Sequence, residues 1–308
     1  MSYQKSYGGG IMLTLFKAEG IMVSLAFPFI LLLTVSAFGQ DSIPSSVPIT
    51  FISDGFKVKG LFFPAKGIGP FPTVILLQGF PGGEGDLFGL GERMSVQGIN
   101  AFTFNYRGTW KSEGLWTPEA SLGDVKSAIS FLKSGKMIRS FSIDTTNLSI
   151  VGYSYGGGLA LLGSLGDTNV RRVVSIAGGD LSVVARLIEE SQEYRKSHQA
   201  FLDECMADST VARGLGGKAS HEWLLRHRDD YNLVGHSKEL ASKAILLIGG
   251  WQDQAIPIED HILPLYRALQ KHSAKSLKIE VFDSDHSFND VRNELAELII
   301  AWIKNVTK

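Results

Sequence analysis

The segment Gly152-Tyr153-Ser154-Tyr155-Gly156 constrains this chain more than any other feature. It follows an apolar, strand-like run at 147–151. It leads into Gly156-Gly157-Gly158, the start of a Gly-, Ala- and Leu-rich stretch that reads as a helix over 155–165. A chain that passes from strand to helix this abruptly must turn sharply, and bulk at 152 or 156 would meet neighbouring backbone. Such a turn lifts the Ser154 hydroxyl off the sheet edge and aims the N-terminus of the following helix at it. Gly-x-Ser-x-Gly alone is a weak pattern; the strand before it and the helix after it make it specific.

The rest of the chain supplies a sheet for that turn. Two strand-like runs, 49–53 and 56–63, flank the turn pair Asp54-Gly55. Pro70-Phe71-Pro72 reads as a break before Thr73-Val74-Ile75-Leu76-Leu77, a continuous apolar run suited to a strand covered on both faces. Further strands are read at 101–106, 172–176, 244–249 and 277–282. Helices are read at 119–132, 258–271 and near the C-terminus, where Val291, Leu295, Leu298, Ile299, Trp302 and Ile303 form one apolar face. Strands alternating with helices predict an α/β fold, a mostly parallel sheet covered on both sides. Residues 181–240 break the rhythm. They are charged and helical in pattern, and are expected to form a helical cap insertion over the C-terminal edge of the sheet, where α/β folds bind ligands.

A serine hydroxyl is a poor nucleophile and needs a histidine base held by a carboxylate. On a strand–turn–helix serine of this kind the chain order is serine, acid, histidine. Of seven histidines, only His286 follows a strand near the C-terminus. His198, His221, His227 and His236 fall in the insertion, and His261 and His272 in or beside a helix; these six are expected at the surface. The acid should follow the preceding strand, and Asp253 does. Asp283 and Asp285 share the histidine's own loop, and Glu259 and Asp260 fall in the next helix. Two backbone N–H groups are expected to face a tetrahedral oxyanion: that of Tyr155, after the serine, and that of Phe80, in the loop Gln78-Gly79-Phe80-Pro81-Gly82-Gly83. Phe80, Tyr106, Trp110, Tyr155 and Trp251 are aromatic candidates for a pocket.

Gly152-Tyr153-Ser154-Tyr155-Gly156, Asp253 and His286, in that order, resemble the α/β-hydrolase superfamily from about Ile49 onward. The resemblance is to single-domain bacterial serine hydrolases related to the prolyl oligopeptidase catalytic domain and to dienelactone-hydrolase-like esterases. Asn105-Tyr106-Arg107-Gly108 is similar to a segment of those peptidases. The resemblance implies an eight-stranded sheet with one antiparallel strand near its start, hydrolysis through an acyl-enzyme without metal or cofactor, and Ser154, Asp253 and His286 as the triad. The oxyanion loop departs from the family pattern by beginning Gln78-Gly79 rather than His-Gly. Gln78 can hydrogen-bond and stiffen the loop but cannot titrate. The β-propeller of prolyl oligopeptidases has no room in this chain, so peptidase activity is not carried over with the motif.

Composition narrows the partners. With a formal net charge of −1 and no long run of one sign, the chain has no electrostatic case for nucleic acid or an anionic membrane. Its partner is expected to be a small-molecule acyl substrate. Residues 21–39 are apolar and uncharged, Lys5 and Lys17 lie upstream, and Ala37 and Gly39 suit a cut before Gln40. This reads as a signal peptide at 1–39 and a secreted or periplasmic domain at 40–308; the alternative is an uncleaved anchor helix. Met12 or Met22 as the true start would shorten the leader without changing its character. The one cysteine, Cys205, forms no intramolecular disulfide and reads as structural.

Three functions share this machinery. The first is cleavage of a carboxylic ester. The second is cleavage of short peptides; reading a free amino terminus would need acidic groups near the site, for which Glu84, Asp86 and Glu113 are the candidates. The third is ligand binding without turnover on a hydrolase scaffold.

Overall fold

Asp54 and Gly55 both adopt positive φ, 49° and 81°, in the two-residue turn between β1 (Val47–Ser53) and β2 (Phe56–Phe63). A turn of that hand matches the twist of the antiparallel strands it joins. The computed structural model describes residues 46–274 and 276–305. The leader read at 1–39 lies outside them.

The sheet continues with β3 (Phe71–Leu77), β4 (Asn100–Phe104), β5 (Ile143–Tyr153), β6 (Val170–Ile176), β7 (Ala244–Gly250) and β8 (Ser276–Phe282). The strand order is β1-β2-β4-β3-β5-β6-β7-β8, and only β2 runs against its neighbours. The expected break at 70–72 is corrected: Phe71 and Pro72 begin β3. Pro72 has no N–H to give to the ladder, and the pairing of β3 with β5 shifts register between Phe71 and Thr73.

Among the described residues the α-helices are α1 (Leu90–Val96), α2 (Pro118–Leu132), α3 (Gly135–Phe141), α4 (Tyr155–Gly163), α5 (Leu181–Glu190), α6 (Gln192–Ala207), α7 (Gly217–His227), α8 (Ser237–Leu240), α9 (Leu263–Lys271) and α10 (Arg292–Asn305). Alternate strand residues face opposite layers. Ile75, Leu77, Phe102, Phe104, Ile150, Val173 and Leu247 pack with apolar residues of α2, α3, α4 and α9. Val74, Leu76, Ala101, Val151, Val174, Leu246 and Ile248 pack with α1 and α10. This double burial is why the central strands read as unbroken apolar runs. In α10, Leu295, Ala296, Ile299 and Ile303 face the core, close to the expected stripe.

The chain leaves β3 toward β4 and later returns to β5 on the other side of β3. The order therefore reverses between β3 and β5, and the crevice at the carboxyl ends of such strands is where α/β sheets hold ligands. The loop after β3 and the Ser154 turn after β5 meet there. The insertion occupies 181–240, as α5 to α8 with a 3₁₀ turn at Arg228–Tyr231. It is stitched to the loop after β4: the N–H groups of Trp110 and Trp116 donate to the carbonyls of Val211 and Arg213, and the Arg213 guanidinium donates to those of Trp110 and Ser112. That loop is itself anchored by Arg107, whose Nε donates to the buried Asp124 carboxylate of α2 at 2.6 Å.

Candidate active site

Ser154 stands at φ 56°, ψ −122°, a conformation that non-glycine residues rarely hold, between the end of β5 and the first turn of α4. The flanking glycines are there for space. A Cβ on Gly152 would lie 2.0 Å from the Gly156 carbonyl oxygen, and one on Gly156 would lie 2.4 Å from that of Gln78. The Ser154 N–H donates to the Ile176 carbonyl, and the Ser154 carbonyl accepts from Gly157 and Gly179. The strained residue is therefore pinned on both sides.

His286, on the loop after β8, places Nε2 3.0 Å from Ser154 Oγ. Its Nδ1 lies 2.8 Å from Asp253 Oδ2. Asp253, on the loop after β7, is buried, and its other oxygen accepts the N–H groups of Ala255 and Ile256 at 2.9 and 2.8 Å. The three residues singled out from chain order are thus brought into one line. The rivals are engaged elsewhere. Asp283 accepts from Gln252, Asp285 from the N–H and hydroxyl of Ser287, and Asp260 pairs with Arg186.

The loop after β3 packs against the serine: a Cβ on Gly79 would lie 3.2 Å from Ser154 Cβ. Gln78 staples the loop, donating to the carbonyls of Gly83 and Gly85 at 3.3 and 2.9 Å. The Tyr106 hydroxyl holds the Gln78 carbonyl, and the Trp110 indole holds that of Pro81. Among the described residues, no protein acceptor takes the N–H of Phe80 or of Tyr155.

A cavity of about 560 Å³ opens over Ser154 and His286. Its floor includes Gly79, Phe80, Tyr153, Tyr155, Trp116 and Ile256; its roof comes from α5, α6 and α7. The insertion therefore builds part of the site. No Asp, Glu, Lys or Arg side chain is among its lining residues. Glu84 pairs with Lys111, Asp86 accepts the N–H groups of Gly91 and Glu92 at the start of α1, and Glu113 accepts that of Lys57; none lines the cavity.

Several expectations are corrected. Of the aromatic candidates, Phe80 and Tyr155 line the cavity, Tyr106 is core, and Trp251 is exposed outside it. Of the six histidines expected at the surface, His221 and His261 are buried, His198, His227 and His236 are half-buried, and His272 is exposed. His198 and His221 line the cavity roof. His261 accepts the Asp180 N–H on Nδ1, and burial pushes its pKa down to about 4. The helix expected over 258–271 begins as a π-helical turn, Ile258–Ile262, before α9, and Ile258, His261 and Ile262 face inward, at the i, i+3, i+4 spacing of one helix face.

Sequence reasoning also missed Tyr153. Its hydroxyl donates to the His286 carbonyl at 2.9 Å, and its ring lies 5.1 Å from the imidazole. Among the described residues no group of three or more His, Cys, Asp or Glu side chains is placed to hold a metal ion, and no helix is long and apolar enough to cross a membrane.

A family model described as the alpha/beta hydrolase fold matches residues 72–229. An uncharacterized protein of Salmonella typhimurium, YfhR, is 32% identical over 245 residues, 77% of this chain and 73% of that protein. The fold is shared with an esterase of Pyrococcus furiosus, Pf2001, at a TM-score of 0.63 and 18% identity, over 84% of this chain and 91% of that one. It is also shared with the acylaminoacyl peptidase of Pyrococcus horikoshii, at a TM-score of 0.61 and 17% identity, over 86% of this chain and 42% of that one.

Proposed function

The chain belongs to the alpha/beta hydrolase fold family, and on that premise we propose that it is a serine hydrolase cleaving carboxylic esters through an acyl-enzyme. One observation carries the proposal: the continuous hydrogen-bonded line from Asp253 through His286 to Ser154. His286 Nε2 takes the hydroxyl proton as Ser154 Oγ attacks the ester carbonyl carbon. Asp253, fixed by two backbone donors, orients the imidazole and stabilises the imidazolium that forms. The N–H groups of Phe80 and Tyr155 take the negative charge of the tetrahedral oxygen. The imidazolium then gives its proton to the departing alkoxide oxygen. Water, deprotonated by the same nitrogen, releases the acid and restores Ser154.

The cavity lining favours the ester over the peptide. Reading a free peptide amino terminus calls for a carboxylate at the site, and among the described residues the lining offers none. The buried Asp253 carboxylate is already engaged by three partners.

A fluorophosphonate probe should label Ser154. Ser154→Ala should lose labelling and turnover while its melting temperature stays nearly unchanged. A folded protein that the probe does not label would sink the proposal. A panel of short aryl esters beside aminoacyl and prolyl amides decides substrate class, and faster turnover of the amides would favour the peptidase. Export through the leader read at 1–39 is part of the proposal; sequencing the N-terminus of the mature protein tests it.

A further inference from the structure

The roof of the cavity carries a polar device that the triad does not use. His198 on α6 and His221 on α7 are hydrogen-bonded to one another, Nδ1 to Nε2, at 2.9 Å. Their rings are nearly parallel, with centroids 5.2 Å apart, and Tyr194, one turn before His198, stacks on the His198 ring. The close approach of the two helices holds the pair. A Cβ on Gly217 would lie 2.5 Å from the Gln199 side chain, and Asp203 accepts the Gly217 N–H.

Two neutral imidazoles carry two N–H groups and two lone pairs. Their mutual bond consumes one of each. What remains is one donor and one acceptor, at Nε2 of His198 and Nδ1 of His221, and among the described residues neither has a protein partner. Shifting both tautomers together exchanges which end donates. Burial keeps the pair uncharged, holding His198 near 4 and lowering His221; Arg195 and Asp203 act on His221 with opposite signs, and neither lines the cavity.

We propose that the His198–His221 pair is a specificity-determining group that receives an uncharged hydroxyl carried on the apolar part of the ester. This rests on the serine-hydrolase reading above and deepens it. The cavity that the pair lines is also lined by Leu181, Val184, Phe201, Leu202 and Leu224, which suit a hydrocarbon chain or ring. An ionised carboxylate or ammonium there would lose its water with no Asp, Glu, Lys or Arg in the lining to offset the loss. A hydroxyl both donates and accepts, and the pair can meet it in either tautomer.

Two matched series test this on the full chain. One compares p-nitrophenyl ω-hydroxyalkanoates with p-nitrophenyl alkanoates of equal length. The other compares acetates of alkane diols with acetates of simple alkanols. The hydroxylated member should be favoured in kcat/KM by about tenfold or more at one length in one series, as sites built to bind a hydroxyl reject analogues lacking it. His198→Phe and His221→Phe should bring that ratio to near one. His198→Gln, which keeps a donor and an acceptor, should retain part of it. A ratio near one at every length in both series for the unmodified protein overturns the proposal, and so does a preference that survives in His198→Phe. If a Phe variant melts before assay, the native ratios and His198→Gln still decide. Turnover without any hydroxyl preference overturns this proposal alone; no turnover of any ester together with no labelling of Ser154 overturns both.

Discussion

His261 offers a perturbation whose size follows from its surroundings. The imidazole is buried, accepts the Asp180 N–H through Nδ1, and leaves Nε2 without a partner. A proton added at Nδ1 would have to displace that bond in a buried site. Burial is the main cause holding the pKa down at about 4, from 6.5; Asp260 and Asp253 oppose the shift weakly and Arg186 reinforces it. As pH falls below 6.5 the unfolded chain takes up this proton and the folded chain does not, so stability drops until about pH 4 and then levels. Evaluated for these two pKa values, the loss between pH 7 and pH 4.5 is about 2.5 kcal/mol from this one residue. The assay is urea unfolding of the native protein and of His261→Asn, which keeps an acceptor toward Asp180, at both pH values. The variant will be less stable throughout because the ring leaves a cavity. Its loss on acidification should nonetheless be smaller than that of the native protein by about 2.5 kcal/mol. His198 and the carboxylates titrate in both proteins and cancel in the difference. Equal acid losses, within about 0.5 kcal/mol, would refute the reasoning.

Two further predictions concern the backbone and the histidine loop. Tyr153→Phe removes the donor that holds the His286 carbonyl; kcat should fall about tenfold with KM little changed, the equivalent of one hydrogen bond of about 1.4 kcal/mol. Burial pushes the Tyr153 pKa up to about 12, so the hydroxyl stays protonated and the ratio of native to variant kcat should be flat from pH 7 to about 10, as a pH–rate profile would show. Gly158→Ala places a Cβ 2.1 Å from the Gly179 carbonyl oxygen, backbone against backbone; it should lower the melting temperature by about 10 °C, whereas Gly85→Ala, with open space around it, should leave it nearly unchanged in the same thermal scan.

The parts of the site that could be read from the chain are those whose geometry is set locally. The serine turn is encoded within five residues because steric exclusion at 152 and 156 acts over a few bonds. Asp253 and His286 were found because each follows a strand, and parallel strands deliver their carboxyl ends to one edge of the sheet. The role of Gln78 was legible for a similar reason: a side chain beside a glycine-rich loop has that loop's carbonyls within reach. The single reversed strand β2 came from the resemblance, since alternation of strands and helices says nothing about direction within the first hairpin.

What escaped the sequence is set by contacts distant along the chain. The hydroxyl of Tyr153 reaches a carbonyl 133 residues away, and nothing in a serine-flanking tyrosine announces that partner. His198 and His221 lie on helices whose polar sequences leave the inward face ambiguous; Gly217 pressed on Gln199 fixes which faces meet. His261 was expected at the surface, but it shares the inward face of Ile258 and Ile262, and its buried partner is the Asp180 N–H, 81 residues away along the chain. The division has a chemical consequence. Ser154, Asp253 and His286, the proposed triad, follow strand ends, while the residues proposed to select a substrate sit on helices held by long-range packing. On the proposed function, changes in α6 and α7 would therefore alter which ester is cleaved without touching the line from Asp253 to Ser154.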